Sequence, residues 1–192
     1  MSIQDKPPTL RATGFKERIK VRYFANHLRW FPPDQRTLDI GCGWGFSLKI
    51  NPRFYCVDAD SACIEHLKQL GANAFLADVS APLPFEEDFF DNAFTHDVLE
   101  HLEEDEMLAL FAEARRIIRT GGHFMNVVPN HKGYVAGLHP DVGHKRFVTQ
   151  HEISDAARRT GFELQTSWYT PLPEALGRWF AHNKLVTICR AT

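Results

Sequence analysis

No stretch of the chain approaches the ~20 consecutive apolar residues that cross a bilayer. The N-terminus "MSIQDKPPTL" also lacks the apolar core of a secretory leader, so the cytoplasm is the expected location. Lysine and arginine form no stripe, and the net charge is -2. A phosphate backbone calls for such a stripe, which argues against nucleic acid as a partner. The cysteines Cys42, Cys56, Cys63 and Cys189 include no C-x-x-C pair and read as reduced and structural. Internal repeats and low-complexity tracts are missing too, so the organisation must come from the order of elements.

What is present suits one folded domain over 1–192. Hydrophobic residues make up 44% of the 192 residues and charged residues 24%, close to globular averages. Histidine stands out, with His131, His139, His144 and His151 close together. Phe15, Ile19, Tyr23, Phe24, His27, Leu28 and Trp30 recur at helical spacing before Pro32-Pro33, which predicts an N-terminal amphipathic helix over 15–31.

Strands are expected at 36–41, 53–58, 73–78, 89–97, 123–129, 162–170 and 184–190. A helix capped by Asp60 and ended by Gly71 separates the second and third. The clearest helix is 103–119, with acids at its start, arginines at its end, and Gly121-Gly122 as its stop. Thr149 and Glu152 form a capping box flanked by a Val148/Ile153 staple, opening a helix that ends near Gly161. Strand and helix alternate throughout, so the expected class is α/β, a mostly parallel sheet with helices on both faces.

"LDIGCGWGFSLKINPRFYCVDAD" joins the first two strands. Its Gly41, Gly43 and Gly45 are spaced G-x-G-x-G, one residue short of the dinucleotide fingerprint G-x-G-x-x-G. A turn of this kind brings backbone close to a ligand at the positive end of a helix. Asp58 follows Gly41 by 17 residues, against about 20 in the dinucleotide pattern. Asn51-Pro52 leaves barely two helical turns at 44–50. One sheet face is therefore short of a covering helix.

Taken in order, "LDIGCGWG", "YCVDAD", "FLADV", "FDNAFTHDVLEHL" and "IIRTGGHFMNVVPN" resemble the motifs of class I S-adenosylmethionine-dependent methyltransferases, in particular the ubiquinone-biosynthesis type, over about residues 35 to 165. The resemblance implies a Rossmann-like seven-stranded sheet in the order 3-2-1-4-5-7-6 and S-adenosylmethionine as cofactor. The cofactor-binding residues it implies are Asp39, Gly41, Cys42, Gly43, Gly45, Asp58, Ala59, Asp78, Val79 and His96. Chemistry agrees with that assignment. An ammonium wants a carboxylate such as Asp39, a carboxylate wants amide N–H groups such as those around Gly41 and Gly43, and Asp58 can accept from ribose hydroxyls.

The end of the fourth strand then faces the transferred methyl. A protonated acceptor needs a base, and His101 and His144 are the catalytic candidates. Some relatives hold a divalent ion with an acid-x-x-Glu-His arrangement. Asp97, Glu100, His101 and His144 match it as the alternative, with Mg²⁺, Mn²⁺ and Zn²⁺ all compatible by ligand type. The expected organisation is a helical lid over 1–34, a cofactor core over 35–165, a substrate loop over 129–149 and C-terminal strands over 166–192. Aromatic residues from the lid, Tyr134 and Leu138 from the loop, and Trp179 and Phe180 from the last crossover would line the acceptor pocket. The expected reaction is methylation of a small molecule, at oxygen. A metal-assisted RNA-terminal methyltransferase and a non-catalytic cofactor-binding partner subunit are the alternatives.

Overall fold

The computed structural model describes residues 15–79, 81–130, 144–171 and 183–192. His131, Tyr134, Leu138, His139, Trp179, Phe180 and His182, and most of the expected substrate loop, lie outside the described residues. Seven strands form one sheet in the order β3-β2-β1-β4-β5-β7-β6. They are β1 (Thr37–Ile40), β2 (Tyr55–Asp58), β3 (Asn73–Leu76), β4 (Phe90–His96), β5 (Ile118–Pro129), β6 (Phe162–Thr170) and β7 (Lys184–Ala191). Strands β1 to β5 run parallel, and β7 runs antiparallel between β5 and β6. The start of β7 thus lies beside the ends of β4 and β5.

The sheet is covered on both faces, as the alternation of elements predicts. Leu38, Ala93 and Phe124 face α3 (Glu104–Ile117) and α4 (Gln150–Arg159). Cys56, Phe94 and Met125 face α1 (Phe15–Leu28) and α2 (Ser61–Gln69). Neighbouring residues such as Phe124 and Met125 point to opposite faces, the period-two consequence of a pleated strand. All four positions of β1 are buried, as a central parallel strand requires.

The crossover from β1 to β2 is as short as its sequence implies. It contains one turn of 3-10 helix, Phe46–Lys49, and the Asn51 side chain accepts from the Arg53 N–H at 3.0 Å where the chain turns back. The sheet face left short of helix is filled by aromatics from the N-terminal segment. The rings of Phe24 and Phe31 lie 6.1 and 6.0 Å from Phe94, and Phe54 packs on the same ring at 5.6 Å. Helix α1 ends at Leu28, short of the expected Phe31, and turns Phe15 (80% exposed) and Ile19 (53% exposed) outward. Trp30 stacks on Trp168 instead.

Helix α3 stops before its expected end at Arg119. Ile118 is already extended and pairs with Phe90, and the register then jumps so that Asn92 lies opposite His123. Residues 119–122 loop out between those pairs. Gly121 takes a positive φ of 81°, and a side chain on Gly122 would come 2.2 Å from the Asp91 carbonyl oxygen. The glycines shape this excursion rather than the helix end. At α4 the capping box is present: Thr149 Oγ1 receives the Glu152 N–H at 3.3 Å, and Glu152 Oε2 receives the Thr149 N–H at 2.8 Å. Val148 and Ile153 are both buried beneath it.

Candidate active site

The loop after β1 is built from left-handed residues. Gly41, Gly43 and Gly45 have φ of 75°, 49° and 72°, a region side chains disfavour. The N–H groups of Gly41 and Cys42 both donate to the Val57 carbonyl, at 2.8 and 3.1 Å. The Gly43 N–H donates to Asp58 Oδ2 at 2.7 Å, and the other Asp58 oxygen receives the Asp60 N–H at 2.9 Å. These amides are therefore spent inside the protein, and the carboxylate at the end of β2 clamps the loop. The space where a Cβ would stand on Gly43 is open to 4 Å. Ala59 and Asp78 are exposed at the ends of β2 and β3, with half-buried Val79 beside them.

Asp39 lies behind the turn, buried, and accepts from the Ser47 hydroxyl at 2.5 Å. Burial pushes its carboxyl up to about 7, the Ser47 hydrogen bond opposes this, and the charge of Asp58 adds to it. Cys42 is buried beside the turn. Open space at Gly43, acids at the ends of two strands and a buried acid behind the turn together fit a ligand carrying hydroxyls and a cationic centre.

On the other side of the turn, the end of β4 carries His96 and Asp97. Asp97 has φ of 57°, and its N–H donates to the Val127 carbonyl at 2.9 Å. Lys184 Nζ lies 2.6 Å from Asp97 Oδ1, and His96 Nδ1 lies 3.3 Å from Oδ2. Burial alone would raise the Asp97 carboxyl; His96 and Lys184 hold it well below the usual carboxylate range. The Phe24 ring stands edge-on to His96 at 4.5 Å, so α1 covers this corner. Behind Phe24 the buried His27 is held down to about 4 by burial and by His96.

One turn of 3-10 helix, Leu99–His101, follows. Its Glu100 is 2% exposed, and neither carboxyl oxygen finds a hydrogen bond among the described residues. Burial, then the charge of Asp97, pushes this carboxyl up to about 8. His144 Nε2 stands 3.9 Å from Glu100 Oε1, and the His101 and His144 rings meet at 4.8 Å. Backbone anchors this approach, since the N–H of Lys145 donates to the Glu100 carbonyl at 2.9 Å. Ligand atoms from Glu100, His101 and His144 lie within 4.8 Å of one another. Asp97, the expected fourth member, is tied to Lys184 and His96 instead. Burial first, then His101, lowers the His144 imidazole below its ordinary value.

Glu100, His101 and His144, grouped as candidates from the sequence, stand together in the structure, whereas Lys184 was not among the candidates. Tyr23, whose hydroxyl donates to the Thr170 carbonyl at 3.1 Å, joins α1 to the end of β6. In the sequence Lys184 is only the first residue of an apolar strand. Its signal was positional: the antiparallel β7 must begin where β4 ends.

One sheet of seven strands with a single reversed hairpin at its edge is the fold of the class I S-adenosylmethionine-dependent methyltransferases. Residues 38–126 match the family model described as a methyltransferase domain. The chain is 31% identical over 124 residues to the tRNA (carboxymethyluridine(34)-5-O)-methyltransferase of Arabidopsis thaliana, covering 63% of this chain and 30% of that protein. It thus spans under a third of the plant relative. Its fold is shared with the PH0226 protein of Pyrococcus horikoshii OT3, at 17% identity and a TM-score of 0.72, covering 94% of this chain and 93% of that one. An S-adenosylmethionine-dependent methyltransferase of Thermotoga maritima superposes with a TM-score of 0.70 at 18% identity, covering 92% and 91%. Among the described residues no helix is long and apolar enough to cross a membrane.

Proposed function

We propose that this protein methylates a small-molecule acceptor at oxygen. The observation that carries the proposal is the half-buried His144 imidazole, which stands 3.9 Å from Glu100 and is lowered from its ordinary value by burial and by His101. A neutral imidazole can take a proton, and an oxygen acceptor has one to give. Glu100, pushed up to about 8, is largely protonated at neutral pH and serves as a donor rather than a base. The plant relative, by its name, also methylates oxygen. Its acceptor is a tRNA, but this chain's net charge of -2 offers no match for a phosphate backbone.

Asp58 would hold the ribose, Asp78 and Val79 the adenine edge, and Asp39 the ammonium. When bound, S-adenosylmethionine supplies a methyl group made electrophilic by its sulfonium. The chain's work is alignment and exclusion of water. Phe24 closes the corner over His96, the Asp97–Lys184 bond fixes the end of β4, and His144 receives the acceptor proton.

A second reading rests on the carboxyl oxygens of Glu100, which have no hydrogen bond among the described residues. A divalent ion held by Glu100, His101 and His144 would satisfy them and leave coordination positions for acceptor oxygens.

Calorimetry with S-adenosylmethionine and S-adenosylhomocysteine tests the cofactor, and binding of neither would overturn the whole reading. Turnover against a panel of phenols, hydroxy acids and carboxylates then tests the site. His144→Ala is expected to lower kcat by about 100-fold with cofactor affinity unchanged, and insensitivity to chelator favours the base over the ion. If His144→Ala, His101→Ala and Glu100→Ala all keep full activity, both readings fail.

A further inference from the structure

Lys184 and Asp97 form an ion pair on the β4 side of the cofactor turn. Strands β1 and β4 are paired as far as Ile40 and Thr95, and each leaves the sheet within a residue of that pair. Gly41 lies on one, and Asp97 and Val98 lie on the other. A side chain on Gly41 would stand 2.5 Å from Val98 Cγ2, so the turn and this segment are in direct contact. Asp97 is thus one residue from the wall of the turn. Lys184 reaches it from β7, with only 13% of its side chain exposed.

Among the described residues, several other charged groups nearby have partners of their own. Lys145 pairs with Glu106 and Glu103, and Arg146 with Glu152. Asp58 is bound to the Gly43 amide across the turn, and the buried Glu100 is largely uncharged at neutral pH. Among the described residues, His96, His144 and Tyr23 are further titratable groups that interact with the pair.

We propose that the Lys184–Asp97 pair sets the preference of the cleft between the cationic cofactor and its neutral product. This rests on the reading that the cleft binds S-adenosylmethionine. When the methyl–sulfur bond breaks, sulfur keeps the electron pair, the methyl carbon bonds to acceptor oxygen, and the acceptor proton passes to a base. The cofactor thereby loses one positive charge. A lone carboxylate beside the sulfonium would favour the substrate form and resist that loss, whereas a lone ammonium would repel it. The pair is neutral and does neither. Lys184 is thus a specificity-determining residue that acts through the charge it cancels.

The test is calorimetry at pH 7 and low salt, with S-adenosylmethionine and S-adenosylhomocysteine as probes. In Lys184→Met the ratio of the product Kd to the cofactor Kd is expected to rise by about fivefold. In Asp97→Asn it falls by a similar factor. The double variant returns to within about twofold of the parent, and high salt shrinks both single effects. If Lys184→Met does not fold, Lys184→Gln drops the charge while keeping a hydrogen bond to Asp97, and the same sign is expected. Equal weakening of both ligands, or ratios moving the same way in both single variants, shows a structural pair and overturns the proposal. Failure of the parent to bind either probe removes the cofactor reading, and this proposal with it.

Discussion

Two aspartates on opposite sides of the glycine turn show how far surroundings alone separate identical side chains. Asp97 has a cation within hydrogen-bond distance and stays ionised, whereas Asp39 is buried with only a hydroxyl and is pushed up to about 7. Near neutral pH the free protein therefore carries Asp39 part-protonated. If Asp39 receives the cofactor's ammonium, only its ionised form does so, and acid must weaken binding. Between pH 8 and pH 6 the affinity for S-adenosylmethionine is expected to fall on the order of tenfold. Titration calorimetry across that range should show the fall in the parent and a flat response in Asp39→Asn. A parent without pH dependence would place Asp39 in the scaffold of the turn, as the acceptor of the Ser47 hydroxyl.

At the level of elements, the join between α3 and β5 carries the least slack. Gly122 packs against the Asp91 carbonyl, the Ile118 side chain and the Arg119 carbonyl, and two of those three are backbone atoms that cannot swing away. Gly122→Ala is expected to cost about 2–3 kcal/mol, read as a lower urea midpoint. Cofactor affinity should not change, because this join lies at the end of the sheet opposite the glycine turn. The same join marks where sequence reading ran out. Helical periodicity and the arginines argue for helix to residue 119, and only the pairing of Ile118 with Phe90, a tertiary contact, ends it earlier. Features decided by near neighbours were readable: the Thr149–Glu152 box, the Asp60 cap and the short β1–β2 crossover all stand where the residues place them. The strand order was readable too, but through the resemblance of an ordered set of motifs. Lys184 was not, because its partner Asp97 lies 87 residues away and nothing local marks either as half of a pair. The same holds for Phe15 and Ile19, which share helical spacing with the buried Phe24 while pointing outward.

Across the whole molecule, the site groups shape how stability varies with pH. Asp39 and Glu100 are raised to about 7 and about 8, so the folded state binds protons that the unfolded chain releases. Their contribution is full below the ordinary carboxylate range and is lost as pH rises through 7 and 8. His27 works in the opposite sense: held down to about 4, it favours the folded state above its ordinary value, and that advantage fades as pH falls from about 6.5 toward 4. From pH 8 down to pH 6.5 the two carboxyls gain while His27 has barely begun to oppose them. The ligand-free protein should therefore be more stable at pH 6.5 than at pH 8, on the order of 1–2 kcal/mol. Urea unfolding at the two pH values measures this directly. Glu100→Gln should remove most of the difference, because the amide keeps the shape of the side chain and has no proton to gain. His27→Phe should leave the difference in place and relieve the loss of stability below pH 6. Equal stability of the parent at pH 8 and pH 6.5 would mean that solvent reaches Glu100, and the buried carboxyl on which the acceptor site is built would then be an ordinary surface acid.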